Sequence, residues 1–542
     1  MGTEKRTLIA IILTIIILVG YQFLFPTPPQ KQPATEQAKE EKKENKLQEP
    51  AKPVSVPFSL KGLTDASLFS GVHVVPAEEK EVRIETGLYS ATLSSIGGTI
   101  KKWELKKHKD KDGLPVILQQ GQSVYQPLSI GSQNNFNLAK VNFSVSGRDM
   151  KLDENKNTGA IVFEYATSES SIRRTYTFYN NSYKVDLKDE VAGLPEYWIT
   201  PGTDFGIHDR KDTSVHLGPV LLKDAEKIEL DTNKLKETQS YQGRLRWIAQ
   251  EDKYFFSAIV PVTQMDEAKA WKVQDASVIA FKGKSGINNF IVYAGPKEHD
   301  NLKKLNVGLE HIIDFGFFSI IARPLFWLMK FFYGFMGNYG WAIVLLTIVT
   351  RIPFIPLINK MQASMKKMQD IQPKMAEIKE KYKNKKDPQK MQKEMTELYK
   401  KHKVNPLGGC LPMLLQIPVF FALYKILSVA IELRGAPFIL WITDLAGPDT
   451  LFGHIPSWFP LIGGFAVGPL PIAMGITMVI QQKMTPSSAD PAQQKMMMLM
   501  PIIFTFMFLN FASGLVLYWL VNNILSIAQQ FHVNRKLAKE KA

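Results

Sequence analysis

The chain has 542 residues, 45% hydrophobic and 22% charged, with 32 Phe, 20 Met, one Cys and a formal net charge of +15. The lone Cys410 excludes an intramolecular disulfide framework and any multi-cysteine zinc or iron–sulfur site. A mean hydropathy close to zero hides two unlike parts, a mixed polar stretch up to residue 310 and long apolar runs beyond it, which is the composition of a membrane protein with a large water-facing insert.

Lys5 and Arg6 precede an apolar run from Leu8 to Phe25 that ends in Tyr21-Gln22-Phe23 without a small-residue cleavage site. At about 18 residues it is long enough to span a bilayer. Residues 1–25 are therefore expected to form an uncleaved signal anchor and first transmembrane helix, with a cytoplasmic N-terminus. Residues 26–57 are mostly Pro, Gln, Lys and Glu and cannot bury enough surface to fold, so they read as a solvated, disordered linker. From 58 to 311 short alternating runs appear, among them Ala160–Tyr165 and Arg174–Tyr179, separated by turn signals at Gly97-Gly98, Asp112-Gly113 and Asn180-Asn181. That spacing predicts an all-β sandwich on the far side of the membrane. It holds no paired-carboxylate, nucleophile or metal-ligand pattern, and its scattered His73, His108, His208 and His216 read as surface residues.

Residues 312–337 are apolar and aromatic but carry Arg323, Pro324 and Lys330. The two cations lie seven apart on one helix face, which favours an interfacial amphipathic helix. A true span here would invert everything after it. Spans are expected at Tyr339–Ile358, Gly408–Ala430 and Trp458–Ile480. The last apolar stretch, Met496–Ile527, is too long for one helix across a core of about 30 Å. Read as two helices turning at Ser513-Gly514, it returns the basic tail at 532–542 to the cytoplasm, as the positive-inside rule asks. The expected fold is thus a polytopic α-helical membrane protein of six spans plus the β sandwich, with both termini inside. A five-helix core occupies 338–531.

Between Lys360 and Lys403 stand 14 lysines against six acidic residues, which places this loop in the cytoplasm. Met361, Met365, Met368 and Met375, then Met391 and Met395, recur at helical steps around a turn at Asn384–Pro388. Residues 361–403 therefore read as an αα-hairpin, bent at Pro373. Its methionine stripe is either a packed seam or an adaptable surface for apolar segments. DNA binding is excluded as a role for these charges, because they adjoin apolar spans and lack a recognition motif. Contact with ribosomal RNA stays open.

Arg351 is the sharpest single feature. A guanidinium keeps its charge, and a charged side chain at a helix centre costs about 3 kcal/mol on insertion scales. It lies nine residues before Lys360, roughly 13 Å inside the helix end. No Asp or Glu occurs in the other spans to neutralise it. Thr347 shares its helix face, and Gln416, Asn510, Asn522 and Asn523 are the other polar residues within the apolar runs. Each alone reads as helix–helix glue, but together with Arg351 they suggest a polar cavity open to the cytoplasm.

Asn405-Pro406-Leu407-Gly408-Gly409-Cys410-Leu411-Pro412 continues through Gln416-Ile417-Pro418-Val419-Phe420-Phe421-Ala422-Leu423-Tyr424. With Glu432-Leu433-Arg434, Trp441–Leu445 and Gly514–Trp519 in order after it, the stretch from Tyr339 to Gln530 resembles the YidC-type membrane protein insertases. Trp247-Ile248-Ala249 and Gly295-Pro296-Lys297 resemble the Gram-negative form with a large periplasmic domain. The resemblance implies an inner-membrane insertase and chaperone for nascent membrane proteins, working alone or with the Sec translocon, in contact with membrane lipids and without a cofactor or metal. It implies that Arg351, Thr347, Gln416, Tyr518 and Trp519 line a substrate groove. Many members have Tyr-Tyr where this chain has Tyr518-Trp519. The rivals are a small-solute transporter, which the lack of an internal repeat disfavours, and an intramembrane protease, for which no catalytic arrangement is found.

Overall fold

A computed structural model describes residues 78–541, apart from 111, 211, 213–214, 264, 384–386, 403, 405–410, 460–461 and 486–490. The expected signal anchor and linker, His73 and Cys410 lie outside the described residues.

Residues 81–296 form two sheets around one core. A five-stranded sheet runs 115–119, 99–109, 89–94, 81–85 and 150–151 in that order, and an eleven-stranded sheet is built round the antiparallel pair Lys184–Ile199 and Ala276–Pro296. Strand Ser171–Tyr179 shows why the chain folds this way. Its two-residue period turns Ile172, Arg174, Tyr176 and Phe178 inward. The cost of an inward guanidinium is met by the neighbouring strand, where Asp189 stands directly opposite in register. Arg174 donates to both Asp189 oxygens at 2.9 and 3.2 Å and to Leu128 O at 2.7 Å, with longer bonds to the carbonyls of Gly97 and Gly98. The pair thereby ties the large sheet to the Gly97-Gly98 turn of the small one. That turn needs glycine at Gly97, where φ is +70° and a Cβ would sit 2.7 Å from Ala139 O.

A buried polar cluster joins the sandwich to the helical part of the chain. Burial alone would raise the Glu251 carboxyl, but Lys227 and Lys297 beside it hold it at about 2. Lys297 also donates to Asp252 O, and Lys227 reaches Ile312 O at 3.2 Å. Trp247 Nε1 donates to Gly308 O at 3.0 Å. Two of the motifs that carried the family resemblance in the sandwich therefore act at this junction. His108 is not the surface residue expected. It packs edge-on against Phe255, and burial, with Arg434 and Lys107 nearby, pushes its imidazole down to about 4.

The short helix α1 (His299–Lys304) and two 3-10 turns lead into α2 (Ser319–Met336). The amphipathic helix thus starts seven residues later than the 312 expected, because Gly308 and Gly316, both at positive φ, break the approach into turns. Ile320, Trp327, Phe331 and Phe335 are exposed along it, as is Phe317 in the turn before it, while Lys330 pairs with Asp300 of α1.

Asn338 caps α3 (Tyr339–Arg351), accepting from the backbone N–H of Gly340 and Trp341. A 3-10 turn at Ile352–Phe354 absorbs Pro353, and α4 (Ile355–Asp370) continues the rod. Among the described residues Tyr339–Asp370 is the one helix long and apolar enough to cross a membrane, and Leu415–Val429 and Met498–Phe508 are shorter apolar helices. The expected bend falls at Ile371, after which Pro373 sits in the first turn of α5 (Gln372–Lys383). Helix α6 (Pro388–His402) packs against α5, with Lys381 and Tyr382 both bonded to Glu394 at 2.7 Å.

Helix α7 is Leu411–Val429. The span expected at Trp458–Ile480 begins late, as α8 (Pro469–Met484). Before it the chain doubles back, with Ile455 and Phe465 bonded through their backbones and Gly464 at φ +82°. Pro469 and Pro471 are tolerated only in a first turn, and the buried Asp449 carboxylate accepts the N–H of Leu470 there. The last apolar stretch does break in two, as α9 (Pro491–Phe508) and α10 (Ser513–Lys541). The orphan N–H groups at the start of α10 are met from outside, Ser513 by Gly447 O at 2.7 Å and Gly514 by Leu445 O at 2.9 Å. The basic tail at 532–541 continues α10 as helix. Helix α10 is the hub, packing against α3, α4, α7 and α8.

Candidate functional site

Four of the five N–H donors of Arg351 are used, all on α10. Nη1 donates to Asn522 O at 2.9 Å and to its Oδ1 at 2.7 Å, while Nη2 and Nε share Gln529 Oε1 at 3.0 and 3.4 Å. A guanidinium only donates, so both amides must turn their oxygens toward it and their N–H groups away. Asn522 Nδ2 passes the chain to Gln416 Oε1 at 2.7 Å, and Gln416 Nε2 to the Tyr518 hydroxyl at 3.1 Å. On the other side Gln529 Nε2 donates to Asn359 Oδ1 at 2.7 Å and Ile355 O at 3.3 Å. The result is a polarised line of neutral groups running from α7 across α10 to α4, with one cation at its middle. Among the described residues no carboxylate pairs with Arg351.

Helix geometry explains how the line forms. Tyr518, Asn522 and Gln529 lie four and seven residues apart, on one face of α10. Ser526, between them, bonds Asn522 O within the same face. Arg351 and Asn359 sit eight apart on the α3–α4 rod, close enough to two turns to share its side. Arg351, Gln416 and Gln529 are half-buried, whereas Tyr518 and Asn522 are buried.

Of the residues singled out in the sequence, Arg351, Gln416, Tyr518 and Asn522 come together. Thr347 does not join them, since it is buried and its hydroxyl bonds Ile343 O of its own helix at 2.7 Å. Trp519 points elsewhere, its ring packed against Phe420 and Phe508 at 5.3 Å centroid separations. Asn523 bonds Thr477 of α8 at 3.1 Å and Asn510 accepts from Ala466 N, both acting as glue. Gln529 and Asn359 were missed. Spacing along α10 was the available signal, because Gln529 follows Asn522 by seven residues, two turns on.

The hairpin methionines lie in a seam. Met368, Ile371, Met375, Met395 and Val404 are buried together, with Ile378, Met391 and Leu398 packed around them. Met361 is buried and Met365 half-buried on α4, before the bend. Among the described residues no cluster of His, Cys, Asp and Glu could hold a metal ion.

The C-terminal part of the chain, residues 331–540, matches the family model of the 60Kd inner membrane protein, and residues 81–328 match that of the YidC periplasmic domain. The chain is 38% identical over 558 residues to "Membrane protein insertase YidC" of Citrifermentans bemidjiense, covering 99% of this chain and 100% of that one. It is 40% identical over 559 residues to the protein of the same name from Pelobacter propionicus, covering 98% and 99%. Among solved structures it is similar to an active YidC insertase crystallised with its first transmembrane domain resolved, at 19% identity and TM-score 0.38, over 83% of this chain and 92% of that one. Two family models in tandem and full-length relatives near 40% identity place this chain in the YidC family of membrane protein insertases, with its periplasmic domain.

Proposed function

We propose that this insertase moves nascent transmembrane segments from the cytoplasm into the inner membrane along the polar face that α3, α4, α7 and α10 build around Arg351. The observation that carries the proposal is a half-buried guanidinium whose partners are all neutral. A substrate's short polar tail cannot cross hydrocarbon unaided, since each unpaired backbone group costs several kcal/mol there. A line of amides and a hydroxyl offers such a tail hydrogen bonds partway across. The uncompensated cation adds an attraction for acidic residues, and the following apolar segment then leaves sideways into lipid, driven by its own burial. No cofactor and no covalent step is needed.

First contact through the hairpin methionines would require their seam to part and re-expose Met368, Met375, Met391 and Met395, so the proposal places substrate in the groove. The lysine-rich outer faces of α5 and α6 suit a ribosome arriving from the cytoplasm. The Sec translocon is proposed as a partner by family resemblance alone. A photoreactive residue at Gln416 is expected to crosslink a stalled nascent chain, and one at the exposed Lys393 is not. Equal yields at the two positions would reject the groove.

We also propose six spans with both termini in the cytoplasm. Arg535, Lys536, Lys539 and Lys541 at the end of α10 support this orientation. In a Cys410→Ser background, a cysteine at Lys539 is expected to stay unlabelled by an impermeant reagent until cells are permeabilised. Labelling of intact cells would put the tail outside.

A further inference from the structure

Arg351 holds its two α10 partners very differently. Asn522 is buried, meets Nη1 through two separate oxygens, and is itself fixed by Gln416. Gln529 is half-buried and covers the Nε–Nη2 edge with a single oxygen, at 3.4 and 3.0 Å. That edge is a fork whose two parallel N–H groups match the two oxygens of a carboxylate. One amide oxygen sits astride a place built for two. A carboxylate adds charge–charge attraction to the two hydrogen bonds of the fork, which a neutral amide oxygen cannot supply. Gln529 would not be left without partners off the fork, because Asn359 Oδ1 and Ile355 O bond its amide nitrogen from the α4 side.

We infer that Gln529 is a placeholder on Arg351, occupying the carboxylate fork at rest and giving it up to an Asp or Glu side chain in a translocating tail, so that it sets the preference for acidic tails. The inference rests on the proposed groove around Arg351. In it Asn522 is the anchor that keeps the guanidinium aimed, and Gln529 the exchangeable half. The neutral acceptor keeps the half-buried cation solvated between substrates, where a built-in carboxylate would neutralise it for good.

Two substitutions separate this from a packing role. Gln529→Glu places a carboxylate within the chain on the fork, so the ratio of insertion for an acidic tail over its Asn-substituted twin should fall by about fivefold, toward unity. Insertion of the neutral twin is the denominator, so any general loss of groove hydrogen bonding divides out of the ratio. Gln529→Ala clears the fork, so a carboxylate no longer has to displace an amide and the ratio should rise above the wild-type value. The measurement is insertion by the full-length chain in liposomes, with the matched substrates added to the same preparation. A Gln529→Glu ratio equal to wild type would overturn the inference, and so would a Gln529→Ala ratio that does not rise. If the Glu variant does not accumulate, the Ala variant alone decides. Arg351→Ala is run alongside. If it leaves the ratio intact, the electrostatic reading of the groove fails first. A ratio flattened by Arg351→Ala but not by Gln529→Glu removes only the placeholder.

Discussion

Arg351→Ala is expected to lower insertion of substrates with acidic translocated tails by at least about tenfold, while neutral-tail substrates fall much less. The size follows from losing hydrogen bonds between two charged partners, each worth roughly 1.5–3 kcal/mol, in a site only half open to water. Arg351→Lys separates the two things the guanidinium does. A point cation still attracts a carboxylate, so the preference for acidic tails should survive. Lysine cannot span both Asn522 and Gln529 as the fork does, so the link from α3 to α10 weakens and thermal stability should drop. Preference should therefore follow charge, and stability should follow fork geometry. In vitro insertion of matched substrates, with abundance and melting measured on the same samples, distinguishes them. A Lys variant as unselective as Ala would reject the electrostatic role and leave Arg351 as a structural tie.

Arg174→Ala is expected to destabilise the periplasmic sandwich by about 3–5 kcal/mol, the usual cost of stranding one partner of a buried ion pair. Asp189 would remain fully buried without its cation, and the carbonyl of Leu128 would lose its donor. Hydrogen exchange in the strands 171–179 and 184–199 should rise accordingly. The double variant Arg174→Met with Asp189→Leu should recover much of the loss, since it removes both charges and refills the volume. Protection unchanged in Arg174→Ala would show that the two sheets do not depend on this tie. The proposed groove lies on the helices, so whatever full-length protein survives should still insert a simple substrate.

Much of this architecture was legible in residue patterns. Two-residue alternation marked strand 171–179, turn glycines marked Gly97-Gly98, and excessive apolar length foretold the break between α9 and α10. Boundaries were less legible where prolines cluster. The span expected at Tyr339–Ile358 ends later, because a 3-10 turn carries the helix through Pro353 and Pro356 and on to Asp370. The span expected at Trp458–Ile480 is shortened from its start, because ahead of Pro469 the chain folds back through the Ile455–Phe465 backbone bond with Gly464 at φ +82°. Hydropathy is blind to that difference, because an apolar loop and an apolar helix contain the same side chains.

The sequence alone determined which chemistry is present: one arginine within the expected spans, no acid there to match it, and a handful of amides. It also set the faces, since a period of 3.6 residues brings Tyr518, Asn522 and Gln529 to one side of α10 wherever that helix sits. Only the tertiary structure decided who faces whom. Thr347 shares a helix face with Arg351, but its hydroxyl satisfies itself within one turn and needs no neighbour. Trp519 is next to Tyr518 in sequence, but a 100° step per residue sends it into the aromatic packing of Phe420 and Phe508. Gln529 meets Arg351 across 178 residues of chain, a pairing fixed by how α10 docks on α3 and α4. Helical period is a local property that a sequence carries in full, whereas partnership depends on the packing of several helices at once.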